Sequence, residues 1–108
     1  MPIRPTVAQD ILEFAPNVRD ADVQEVKSLA GLDPLAALSV GLFHSKQCMT
    51  GIGRDGDIVM IFGVIPTAGH NGSIWMLSTD AIVQNKRELI REGKRWLDEQ
   101  QALYRVLT

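Results

Sequence analysis

Apolar residues change their period twice along this chain, which divides it into a helical start, a stranded middle and a helical end. Ile3-Arg4-Pro5-Thr6 reads as a short opening strand. Thr6 followed three residues later by Gln9 fits a capping box, opening a helix through Ile11, Leu12 and Phe14 that Pro16 stops. A second helix starts at Asp20 or Asp22 and carries Val23, Val26 and Leu29 three apart. Gly31 sits where its C-terminal stop belongs. Asp33-Pro34 then supplies an N-cap with proline in the first helical position, and Leu35, Leu38 and Leu42 follow on one face to about Phe43.

The middle reads as strands. Gln47 to Gly53 and Asp57 to Ile65 flank Arg54-Asp55-Gly56, and Asp-Gly between two such runs predicts a hairpin. Ile58 to Ile65 is apolar throughout instead of alternating, which predicts a central strand covered on both faces. Pro66 to Gly72 reads as a loop and Ser73 to Ser78 as the next strand. In the last helix, roughly Lys86 to Gln101, Leu89, Ile90, Gly93, Trp96 and Leu97 recur at helical spacing. Lys86, Arg87, Arg91, Lys94 and Arg95 crowd the other positions. Asn85 with Glu88 three later offers a second capping box, placing the start at Asn85 rather than Asp80. Gly93 costs about 1 kcal/mol of helix propensity, and predicts a close approach of the helix backbone to the sheet. Leu103 to Thr108 reads as a final strand. The fold class is α/β of the α+β kind: a mostly antiparallel sheet, N-terminal helices and one long C-terminal amphipathic helix.

Composition narrows this only slightly. A chain of 108 residues is one domain, residues 1–108. Its 45% hydrophobic and 22% charged content argues against disorder and against a coiled coil. A net charge of −2 gives no global attraction to nucleic acid, so no nucleic-acid partner is expected. The single cysteine, Cys48, excludes an intrachain disulfide and a cysteine-based zinc site. The longest apolar run is far too short to cross a bilayer, and the N-terminus lacks a secretory pattern. The expectation is a protein that is not secreted and has no membrane span, intracellular or carried inside a particle.

Gly51-Ile52-Gly53-Arg54-Asp55-Gly56 matches the G-x-G-x-x-G dinucleotide string, but that string needs a helix N-terminus after it, and here a strand follows. The hairpin reading is preferred. No Cys, Asp or Glu cluster stands at metal-ligand spacing around His44 or His70, so no metal is expected. His44 reads as a helix end, His70 as an exposed loop residue, and Cys48 as a small core residue. Trp75 and Trp96 fall on apolar patterns and read as core. The first turn of the last helix is different. Asn85, Lys86 and Arg87 would combine free backbone amides, a positive dipole end and two cations, the makings of a phosphate site.

This order of elements is similar to the N-terminal two-thirds of a Gcn5-related N-acetyltransferase domain. More narrowly, Ile3-Arg4-Pro5-Thr6 and Trp75-Met76-Leu77-Ser78-Thr79-Asp80 before a basic helix resemble an acetyltransferase-like phage family that includes podophage internal virion protein A. The resemblance implies that acetyl-CoA, if bound, lies beside the strand Trp75 to Ser78 with its pyrophosphate at Thr79 to Arg87. Leu77, Ser78, Thr79, Asn85, Lys86 and Arg87 are then the cofactor-binding candidates. It also implies a phage setting, host cytoplasm or virion.

The departures concern catalysis. Asp80 to Lys86 has no glycine where such enzymes bring bare backbone to the pyrophosphate. Ile74 to Ser78 offers no carboxylate base, and a later helix carrying an acid, a further helix and two strands are implied beyond Thr108. No catalytic residue is identified. Three readings remain open: a non-catalytic accessory or virion protein working through protein contacts, an active acyltransferase completed by another chain, or an inhibitor of a host factor. The first is preferred, because loss of the glycine loop, the base and the acid all point the same way; a sheet that ends at an open strand also favours a protein partner or homo-oligomer.

Overall fold

The computed structural model describes residues 3–108. Four antiparallel strands lie in sequential order: β1 (Ile3–Pro5), β2 (Gln47–Ile52), β3 (Ile58–Thr67) and β4 (Asn71–Ser78). Helices α1 (Ala8–Phe14), α2 (Asp20–Ala30) and α3 (Pro34–His44) come between β1 and β2, and α4 (Lys86–Gln101) follows β4. No single helix among the described residues is long and apolar enough to cross a membrane.

The uninterrupted apolar run of β3 accounts for the layering. Successive side chains of a strand face opposite sides. Ile61 joins Ile11, Phe14, Leu38 and Leu77 in one core, while Met60, Phe62 and Val64 meet Trp96 of α4 in another. The Phe62 and Trp96 rings meet edge to face with centroids 4.8 Å apart. Cys48 is buried in the first core, as its apolar setting implied. Trp75 packs on α3 at Gly41 and donates its indole N–H to Ser45 Oγ at 2.7 Å.

Several local signals act as read. Gly31 ends α2 in the left-handed region, its N–H reaching Lys27 O at 2.9 Å, and Asp33 caps α3 by accepting from Ala36 N at 2.8 Å. Gly56, at φ +84°, closes the β2–β3 hairpin, so the glycine string is a turn between strands.

Four expectations are corrected. The first helix is not capped by Thr6 and Gln9: Val7 is the N-cap residue, and the Asp10 carboxylate accepts its N–H at 3.0 Å. Asp10 is held there by a bidentate Arg4 guanidinium at 2.7 and 2.8 Å, while Thr6 turns to the Thr50 hydroxyl at 2.8 Å. Leu29 points outward, because Asp22, Val23 and Val26 take the inward positions of α2. Residues Pro66 to Gly72 are not a loop but mostly strand, with a turn only at Ala68–His70. Pro66 pairs with Gly72 beyond the end of β2, where its missing N–H has no strand to serve. Gly93 does not approach the sheet, since a Cβ there would meet nothing within 4 Å. Leu89, Trp96 and Leu97 seat α4 instead.

After α4 the chain returns to the free edge of β4 and runs parallel to it. Gly72 N–H donates to Val106 O at 2.8 Å, Ile74 N–H to Thr108 O at 2.6 Å, and Thr108 N–H to Gly72 O at 3.0 Å. The expected final strand is therefore confined to a short pairing centred on Leu107.

Candidate functional site

β4 carries Leu77, Ser78 and Thr79 to its junction with α4, and a 3-10 segment, Asp80–Asn85, leads into the helix. Thr79 caps that segment, its hydroxyl accepting from Ala81 N at 3.3 Å. The helical run thus begins at Asp80, and Asn85 makes no capping bond. Asn85 is buried instead. Its Oδ1 accepts the backbone N–H of Arg54 at 3.2 Å and its Nδ2 donates to Ala81 O at 2.9 Å, tying the β2–β3 hairpin to the junction. The expected Asn85–Glu88 box gives way to an ion pair between Glu88 and Arg54 at 3.3 Å.

The outer edge of β4 is the second part of the site. Bonds from Gly72 and Ile74 to the C-terminal segment show that even-numbered residues turn their backbone groups outward. At the far end, Ser78 N–H donates to Asp22 Oδ2 at 2.9 Å, the Ser78 hydroxyl to the same oxygen at 3.3 Å, and Arg19 N–H to Ser78 O at 2.9 Å. Asp22 is buried and paired with the Arg19 guanidinium at 3.0 Å, so a charged group holds this end of the strand. Between the two occupied ends, alternation leaves the backbone of Met76 facing outward.

Of the six cofactor candidates, the structure exposes only Lys86 and Arg87. Leu77 lies in the core, and Ser78, Thr79 and Asn85 are buried with their polar groups engaged. Beside the junction is a cleft of about 460 Å³ whose ionisable lining residues are Glu13, Asp57 and Asp80. That lining repels phosphate rather than attracting it. His44 ends α3 and His70 sits in the β3–β4 turn, and neither lines this cleft. Among the described residues no group of three His, Cys, Asp or Glu could hold a metal ion. Sequence reading missed Asp22 and Arg19, whose pattern is that of an ordinary helix start. It also missed Met76, whose exposure depends on which strand edge is open.

No family model and no curated protein matches the sequence. Solved structures do match its shape. A candidate phosphinothricin N-acetyltransferase superposes with TM-score 0.60 at 10% identity, over 92% of this chain and 67% of that one. A Gcn5-related N-acetyltransferase from Sphaerobacter thermophilus gives 0.54 at 17% identity, over 95% and 34%. This is a partial Gcn5-related N-acetyltransferase fold. An acetyltransferase of this kind from Brucella melitensis, solved with acetyl-CoA, gives 0.53 at 16% identity, over 94% of this chain and 68% of that protein. Such identities establish the acetyltransferase-like fold and leave its chemistry to the residues.

Proposed function

We propose that this protein is an acetyltransferase-like accessory or virion protein of phage type that does not transfer acyl groups and acts through protein contacts. The observation that carries this reading is the occupied end of β4. An acyl-CoA arm laid along this strand needs its outward N–H and C=O groups, and at Ser78 both are taken by Asp22 and Arg19. The glycine-free segment after it supports the same reading, because Thr79 uses the Ala81 amide and the neighbouring cleft is acidic. Calorimetric titration with acetyl-CoA tests it. No heat is expected for the protein or for Asp22→Asn, and micromolar binding with acetylation of an amine acceptor overturns it.

One observation favours an active acyltransferase completed by another chain: the backbone of Met76 is turned to an open edge beside an apolar groove. In that case acetyl-CoA is the cofactor, and Lys86 and Arg87 are the candidates left to meet its phosphates. Light scattering separates the two, since this alternative requires a second chain and a clean monomer removes a second copy as its source.

A further inference from the structure

The crevice between α4 and the sheet, and the side of the helix next to it, carry two features left unfilled or unpaired within the molecule. The first is a notch of about 110 Å³ with an entirely apolar lining, floored by the buried Met60 and Phe62 of β3 and walled by Ile74 and Met76 on one side and by Leu89, Gly93, Trp96 and Leu97 on the other. Gly93 opens onto it: a Cβ there would meet nothing within 4 Å, so no packing contact in this chain requires the glycine. Its surroundings are open, with Met76 45% and Ile90 59% exposed. The second is a row of cations. Arg87, Arg91 and Lys94 are spaced by four and three and lie beside the row of Ile90, Gly93 and Leu97. Among the described residues none of these three cations has an ion pair, and like charges four apart disfavour the helix that carries them.

We propose that this face docks an acidic amphipathic helix, whose one large apolar side chain fills the notch at Gly93 and whose carboxylates meet Arg87, Arg91 and Lys94. The proposal rests on the protein-contact reading above and names the partner's chemistry. A helix suits the surface because rows three and four apart run along the axis of α4, and the glycine gap forms a hole for a single knob. The charge decides the partner. Pairing α4 with its own symmetry mate would set cations against cations, whereas an acidic helix neutralises them.

The test uses two labelled synthetic helical peptides of about 18 residues, identical in their leucines but flanked by Glu in one and Lys in the other. The full chain is expected to bind the Glu peptide and not the Lys peptide, with affinity falling as salt rises. Gly93→Leu fills the notch and should weaken binding by about tenfold or more, while its helical circular dichroism shows an intact fold. Arg87→Glu with Lys94→Glu should weaken it similarly. Equal binding of both peptides, absence of binding, or indifference to Gly93→Leu overturns the proposal. So does self-association that Gly93→Leu abolishes, which assigns the notch to a second copy. Acetyl-CoA binding lost in Gly93→Leu sinks this inference and the non-catalytic reading together, whereas failure of the peptide without acetyl-CoA binding sinks this inference alone.

Discussion

Asp10 shows how one residue is fixed by partners far apart in sequence. It is buried, accepts two hydrogen bonds from Arg4, one from Val7 N–H and one from Thr50 Oγ1, and so ties β1, α1 and β2 together. The Arg4 hydrogen bonds, helped by Val7 and Thr50, outweigh burial and hold its carboxyl below the ordinary value of 3.8. Because the folded value is depressed, the stabilisation is complete above 3.8 and is lost as pH falls from there through the folded value. Asp10→Asn should therefore lower stability at neutral pH by about 2 kcal/mol, and flatten the acid limb of the stability profile. Urea unfolding at neutral and acid pH checks both. Neither Asp10 nor Asp22 could be read as buried from the sequence: Arg19 stands only three residues before Asp22, as at many exposed helix starts, and what buries the two carboxylates is their contact with Thr50 and Ser78 of the sheet, 40 and 56 residues away. Cys48 was legible, because a thiol inside an apolar strand has few other places to go.

At the scale of elements, legibility followed the number of residues that voted. The helix α4, the hairpin at Arg54-Asp55-Gly56 and the two-faced strand β3 each rest on a long pattern, and all stand in the structure. The 3-10 segment before α4 and the extension of β3 through Pro66 did not, because a single hydroxyl and a neighbouring strand decide them. The two glycines of the helices predict opposite outcomes. Gly93→Ala meets open space and should stabilise by about 1 kcal/mol through helix propensity. Gly41→Ala would place its Cβ 2.5 Å from the Trp75 ring and should destabilise by about 1–3 kcal/mol through overpacking. Thermal melts of the two variants should move in opposite directions.

For the whole molecule, the sequence conveyed the architecture but little of the candidate site. Lys86 and Arg87 emerged where a basic helix start should put them, yet Asn85 and Ser78 turned inward, since the hairpin and α2 compete for their polar groups. The edge of β4 is accordingly closed at both ends and open between them. Amide exchange should report this pattern directly. The N–H groups of Gly72, Ile74 and Ser78 are expected to be protected, and that of Met76 to exchange faster by at least about tenfold. Equal protection along the strand would place a partner on the edge.

The sequential order of the sheet bears on how the chain reaches this state. β2, β3 and β4 are joined by short turns, so their pairing closes small loops, whereas β1 must meet β2 across all of α1, α2 and α3. Formation of the three-strand meander should precede docking of the first strand. In stopped-flow experiments, Phe62→Leu in the meander is expected chiefly to slow folding, and Asp10→Asn chiefly to speed unfolding. The β1–α1 unit, added last, is then the first part to come loose: its partial opening sets how often the chain offers the edge of β2 to a neighbour.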